Sequence, residues 1–349
     1  MEEHTPARNG VTLQSTGREQ DHKRLVAVDN AKAVLISLVV FGHLVNPGQE
    51  RLAGAIQIFV YVFHIPAFVF LAGMFSKVEI KRADCRSLVS RLLIPLMVFQ
   101  LGYFLCFAIG KPNAGFQLLE PFWILWFLLS LLFWRLMLPL FAILRMPLTM
   151  AVGISLLAGY SGSIGVVFSF SRTLVFFPFF LAGHRFGHGL YQIESRRRVR
   201  IASILWLGLI LSICPFFRPG VTLPWLWGNN SYAACGVIGW WVGSVRLTQL
   251  VVSGITLVAV LLIFPQGPHA FTFLGQRSMQ IYVLQAPVIN ILSVLHLLPR
   301  PGNLSIVAAL VMTPLIVVFL GSGLVEQLWQ SAMSDLEKLL TRPRAETPM

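Results

Sequence analysis

The sequence predicts an all-α fold, a polytopic integral membrane helical bundle of about ten transmembrane helices. Three observations predict it. Only 12% of the 349 residues are charged, 56% are hydrophobic and the mean hydropathy is +0.74, whereas soluble globular chains run near 25% charged. Apolar stretches recur at the roughly 20-residue length that a helix needs to cross a bilayer. The charge is gathered between them: 28 of the 41 charged residues lie in 1–30, 77–91, 194–200 and 326–349. Together these exclude a disordered chain, a fibrous repeat and almost any water-soluble domain. The net charge of +13 does not imply nucleic acid, because the basic residues sit at the ends of apolar runs, as the positive-inside rule explains.

Taken in order, spans are expected near 30–47, 54–76, 92–110, 122–142, 148–166, 171–188 and 201–217. A long apolar stretch follows at 231–265, interrupted at Arg246-Leu247-Thr248-Gln249, and then spans near 279–298 and 304–326. Proline and glycine mark the joints at Pro47-Gly48, Lys111-Pro112-Asn113, Arg218-Pro219-Gly220, Pro265-Gln266-Gly267-Pro268 and Pro299-Arg300-Pro301-Gly302. If 231–246 is a re-entrant or interfacial piece the count is ten; if it crosses, the count is eleven. Ten spans with both termini cytoplasmic put Lys77–Arg91, Arg196–Arg200, the Arg277 loop and the tail with Lys338, Arg342 and Arg344 on the inside. Eleven would move the last two outside, so the charge rule selects ten. The expected organisation is a loose cytoplasmic tail over 1–28, a transmembrane domain over 29–328 and a cytoplasmic tail over 329–349. Gly183/Gly187 and Gly239/Gly243 have the G-x-x-x-G spacing of close helix contacts.

Cys85, Cys106, Cys214 and Cys235 show no C-x-x-C spacing and point to neither a disulfide framework nor a metal site. The first 28 residues lack the short apolar core of a cleavable signal peptide.

Ionisable side chains inside apolar runs are the informative ones, since each costs about 2.5–3.5 kcal/mol at a helix centre on insertion scales. Lys32 and His43 lie on the first span, about 16 Å and three turns apart, so both can face one interior. His64 falls in the second span just before Pro66, whose missing amide opens the backbone. The plain alternatives are a snorkelling Lys32, an interfacial His43, and a His64 that bonds a freed carbonyl. His184 and His188 read as boundary residues; His269 and His296 as interfacial or loop residues. No Asp or Glu occurs between Ser195 and Val325, and Asp29, Glu50 and Glu120 sit at span ends. An interior with imidazoles and cations but no embedded acid suits base chemistry and anion recognition better than proton-coupled transport. No G-x-S-x-G, P-loop or G-x-G-x-x-G is present.

The segment VDNAKAVLISLVVFGHL (28–44), with Asp29, Lys32 and ten residues before His43, resembles the first-span signature of the acyltransferase-3 family, and more narrowly its fucose 4-O-acetylase-like branch. Further matches follow in order: FHIPAFVFLAGMF (63–75), RLLIPL (91–96), WFLLSLLFWRL (126–136), SRTLVFFPFFLAG (171–183), NNSYAACGV (229–237) and FLGQRSMQIYVLQAP (273–287). The resemblance covers about residues 25–300. It implies a ten-span enzyme of the bacterial inner membrane. Such an enzyme moves an acetyl or other acyl group from cytoplasmic acyl-CoA to a hydroxyl of an extracytoplasmic or lipid-linked sugar. By position, His43 matches the family's catalytic histidine, Lys32 its basic partner and His64 the second-span histidine, while Arg91 and Arg172 match recurrent arginines. Where relatives read LYxxH, this chain has Tyr282-Val283-Leu284-Gln285, and glutamine is no base.

The resulting expectation is an O-acyltransferase with acetyl-CoA as donor substrate and no metal. His43 would be the general base, with Lys32 and His64 beside it. A developing oxyanion would be met by Lys32, Arg172 or Gln285, with Arg172, Tyr282 and Gln285 on the acceptor side. Arg91, Lys81 and Arg82 would meet the phosphates of CoA, although basic loops also arise as topology determinants alone. The competing readings are a transporter or flippase of a glycolipid or acylated metabolite, and a silent scaffold.

Overall fold

The computed structural model describes residues 9–110, 119–190 and 196–341, and among them there is no strand. The outermost parts of both expected tails (1–8 and 342–349), the Lys111-Pro112-Asn113 joint and Glu194 lie outside the described residues. The helices are α1 (Asn9–Leu44), α2 (Arg51–Met74), α3 (Arg82–Leu88), α4 (Ile94–Gly110), α5 (Trp126–Ala142), α6 (Pro147–Ala158), α7 (Phe170–Leu190), α8 (Arg196–Ile213), α9 (Pro219–Trp227), α10 (Val242–Ile263), α11 (Thr272–Gln276), α12 (Ser278–Val294), α13 (Leu304–Leu320) and α14 (Gly323–Leu340). A π-helical turn, Val89–Leu93, joins α3 to α4, and a 3-10 turn, Trp123–Leu125, leads into α5.

Among the described residues, seven helical segments are long and apolar enough to cross a membrane. An eighth is gained if α13 and α14, bent by 53° at their junction, form one span. The expected ten is not reached on that count. Helix α6 has 12 residues, and α12 and α13 have 17 each, at or below the lower limit for a crossing helix. The apolar part of α1 is Leu25–Leu44.

One expectation is corrected outright. Arg246-Leu247-Thr248-Gln249 does not interrupt a helix but lies inside α10, and the preceding 231–241 is turn rather than span. Arg246 is fully buried, donates from Nη1 to the Trp225 carbonyl and to Gln249 Oε1 (both 2.7 Å), and lies over the Trp225 ring at 5.3 Å. A carbonyl and an amide take up Nη1 and an aromatic face lies beside the guanidinium, while Nε and Nη2 are buried without a hydrogen-bond partner. The charge is held by side-chain contacts within the packed interior, and the helix runs through unbroken.

Helices α1, α2 and α7 form the enclosed centre: 61–67% of their apolar windows are buried, against 17% for α8, which presents Ile201, Leu205 and Leu209 outward. Backbone contact decides the α2–α7 pair. A Cβ at Gly183 would lie 1.9 Å from the Phe70 carbonyl oxygen, and one at Gly73 would lie 1.9 Å from that of Phe180. Gly187 faces Met74 in the same seam, so the Gly183/Gly187 spacing marks a true close approach. The Gly239/Gly243 pair does not: Gly239 sits in a turn at φ 145° and Gly243 faces the Tyr160 hydroxyl. One apolar core gathers α1, α4, α12 and α13, and a second gathers α2, α5, α7 and α10.

Polar ties fix which helix ends lie together. Asn30, fully buried, donates to the Pro265 and Gly267 carbonyls and accepts from Thr272. Arg86 bonds Glu337 at 2.8 Å, His184 Nδ1 lies 3.0 Å from the Ser76 carbonyl, and Arg277 pairs with Glu326 and the Gly321 carbonyl. At the opposite end Ser305 bonds Asn46, and Gln57 Nε2 donates to the Gly42 and Val45 carbonyls beside His43.

Candidate active site

Three cavities lie in series through the bundle. The first, of about 310 Å³, is lined by His43 of α1, Tyr61 and His64 of α2, Trp123 and Trp126, Arg172 of α7, and Trp227 and Asn229. The second, of about 330 Å³, is lined by Lys32, Phe68, Phe127, Arg135, Ser278 and Tyr282, among others. The third, of about 550 Å³, is lined by Arg91, Arg135, Arg277, Gln280, Glu326 and Trp329, among others. Ile65 borders the first and second; Arg135 and Met279 border the second and third.

Local structure sets each side chain of the first cavity. Gly42 lets the Tyr61 ring lie against α1, since a Cβ there would meet that ring at 3.0 Å. Tyr61 in turn meets the His64 imidazole edge-on at 4.6 Å between ring centres. His64 is buried, and its Nδ1 lies 2.8 Å from the Val60 carbonyl. That partner is not the carbonyl of Val62, which Pro66 leaves without its amide. A carbonyl only accepts, so Nδ1 carries the proton and Nε2 keeps its lone pair. Trp123 packs on His43 at 5.2 Å. It adopts φ 42°, a conformation that costs a bulky residue on the order of 1–3 kcal/mol and persists only where surroundings impose it. Gln100 supplies part of that restraint by accepting from the Phe122 amide and donating to the Glu120 carbonyl, both at 2.8 Å.

Arg172 lies over the Trp126 ring at 4.8 Å and donates from Nε to the Trp227 carbonyl at 3.2 Å. No carboxylate among the described residues pairs with it, so its charge remains available to an anion in the cavity. His43 Nδ1 and both amide atoms of Gln285 are buried without a formed hydrogen bond, although the two side chains stand within interaction range.

The structure thus brings His43, His64 and Arg172 into one cavity and puts Gln285 behind His43. Lys32 lies elsewhere: it pairs with Asp29 at 2.7 Å within α1 and lines the second cavity. Tyr282 lines the second cavity too, and its hydroxyl donates to the Ile124 carbonyl. Arg91, on the π-helical turn, lines the third cavity, while Lys81 and Arg82, exposed at the start of α3, line none of the three. Sequence reasoning passed over Tyr61, Trp123 and Asn229, which look like ordinary membrane sequence. It also passed over Arg135, whose buried Nε has no hydrogen-bond partner; an arginine in the middle of an apolar run was the available signal.

Over 245 residues the chain is 26% identical to the nodulation protein NolL of Sinorhizobium fredii (strain NBRC 101917 / NGR234), covering 61% of this chain. The match spans 60% of that relative's length. No solved structure matches. The family model described as an acyltransferase domain matches residues 25–322, and so the chain belongs to the acyltransferase-3 family.

Proposed function

We propose that the protein transfers an acyl group, acetyl in the simplest case, from acyl-CoA to a hydroxyl of a sugar or glycoconjugate acceptor. The observation that carries this reading is the pairing of two imidazoles with an uncompensated guanidinium around one cavity, followed by a second cavity and then a third that bears Arg91 and Arg135.

A sugar hydroxyl is a weak nucleophile. A neutral His43 takes its proton as the oxygen attacks the thioester carbonyl, and the negative charge that develops on that carbonyl oxygen is met by Arg172. Collapse expels the CoA thiolate, which recovers the proton from the His43 imidazolium. His64 keeps an Nε2 lone pair free for a second hydroxyl of the acceptor, which orients the sugar. The donor enters at the arginine end: its phosphates meet Arg91 and Arg135, and its acyl-bearing arm follows the second cavity past Lys32 and Tyr282 toward His43. Charge distribution supports a cytoplasmic position for that end and for both termini, in a bacterial inner membrane.

Replacing His43 with alanine is expected to lower turnover by about 10²–10⁴-fold while insertion and abundance stay normal. Mass spectrometry of surface glycans and secreted glycoconjugates, in null cells with wild-type or His43→Ala protein, reads this out. An acyl-sized mass increment on a sugar, present only with wild type, also identifies the acceptor; equal acylation in both strains overturns the base assignment. Cavities in series are also what a carrier requires, and acyl-CoA turnover by the purified protein excludes a pure carrier.

A further inference from the structure

Gln285 stands where the resemblance leads one to expect a histidine, and its surroundings give it a task of its own. It is fully buried on α12, yet neither its Oε1 nor its Nε2 has a hydrogen-bond partner. A buried amide left unpaired forfeits its hydration without compensation, and the usual resolution is a partner close by. One exists: His43 Nδ1, also buried and also unpartnered, with Gln285 as the side chain that approaches the ring. Hydrogen bonds in catalytic constellations are often long before substrate binds and tighten afterwards.

From this geometry we infer that Gln285 is a positioning residue that fixes the tautomer of His43. Its Oε1 accepts the Nδ1 proton, so that the Nε2 lone pair points into the cavity. The inference rests on the reading of His43 as the base, because a base needs that lone pair. The two histidines are then held alike by different means, His64 by the Val60 carbonyl and His43 by a side-chain amide. An amide, unlike a carboxylate, holds the ring without adding charge, so it favours the neutral imidazole that can accept a proton. The charged and titratable groups facing His43 are Tyr61 and His64 of α2 and Arg172 of α7.

The test is nitrogen-15 NMR of the full-length protein labelled at histidine, with the His43 signals identified by their loss in a His43→Gln variant. The wild type is expected to show His43 protonated at Nδ1. Gln285→Leu, which keeps bulk but removes the acceptor, should move His43 toward the Nε2-protonated form, and Gln285→Glu, which restores an acceptor oxygen, should bring the Nδ1 proton back. A merely structural role would not separate Leu from Glu in this way. Kinetics with acetyl-CoA and methyl α-L-fucopyranoside form the second arm: in Gln285→Leu, kcat should fall about 10–100-fold with KM for acetyl-CoA little changed. An Nε2-protonated His43 in the wild type, or one tautomer population shared by wild type and Gln285→Leu, overturns the inference. Correct tautomers in a wild-type protein that turns over no acyl-CoA would leave the inference standing and overturn the acyltransferase reading instead.

Discussion

At the scale of single residues, charge without a partner is the most informative feature of this molecule. Arg86 and Arg277 are spent on Glu337 and Glu326. Arg91 and Arg135 share the third cavity with no carboxylate bonded to either among the described residues. Two guanidiniums facing one space call for an anion, and the planar fork suits phosphate oxygens. Arg135→Gln is therefore expected to raise KM for acetyl-CoA about 10- to 100-fold, the worth of one charge-assisted hydrogen bond, and to leave turnover of S-acetylpantetheine, which lacks the phosphates, unchanged. Equal losses on both donors would show a structural role for Arg135 instead. His43 and His64 were legible in the sequence because ionisable groups are expensive in apolar runs, and the same reading chose Lys32, which lines the second cavity instead. Arg172 was reached only through the family resemblance. Trp123 was not: nothing in its neighbours announces a positive φ, which the turn held by Gln100 imposes from a distance.

At the scale of elements, the relation between His64 and Arg172 depends on how closely α2 and α7 approach. That approach is set by backbone packed on backbone at Gly73 and Gly183. Gly183→Ala forces a Cβ into the Phe70 carbonyl, where no flexible side chain can yield, so the helices must part. Overpacking of this kind costs about 1–3 kcal/mol or more, and thermal unfolding of detergent-purified protein should show a clear loss of stability together with reduced acyl transfer. Gly208→Ala on α8, where nothing lies within 4 Å of the added carbon, is the matched control and should be neutral. Spacing alone revealed Gly183 and Gly187 but also offered Gly239 and Gly243, one of which is not helical at all. Pattern identifies small residues; only the facing helix decides whether they matter. The same holds for Arg246, whose polarity suggested a break until Trp225 and Gln249 supplied its partners.

At the scale of the whole molecule, the ties between helix ends bear on how often the chain crosses. The His184–Ser76 bond puts the end of α7 beside the end of α2, and Arg86–Glu337 joins the start of α3 to α14. Asn30 joins the spanning start of α1 to the loop after α10. These ties put Arg86, Arg91 and Glu337 at the end where the third cavity lies, opposite the Leu226–Asn229 segment that borders His43. For Lys77–Arg91 and Arg196–Arg200 to share one side of a membrane, an even number of crossings must separate them, and the short α6, with 12 residues, has to be one of those four. Its shortness is tolerable because both of its ends meet protein: its last turns lie under Tyr232, whose hydroxyl bonds the Leu156 carbonyl, and its first turn borders His184 and Arg185. Alkaline phosphatase, active only outside the cytoplasm, is therefore expected to be silent when fused after residue 200 and active when fused after residue 236. Activity after residue 200 would mean that α6 does not cross. The Arg196–Arg200 segment would then lie on the side opposite Arg91.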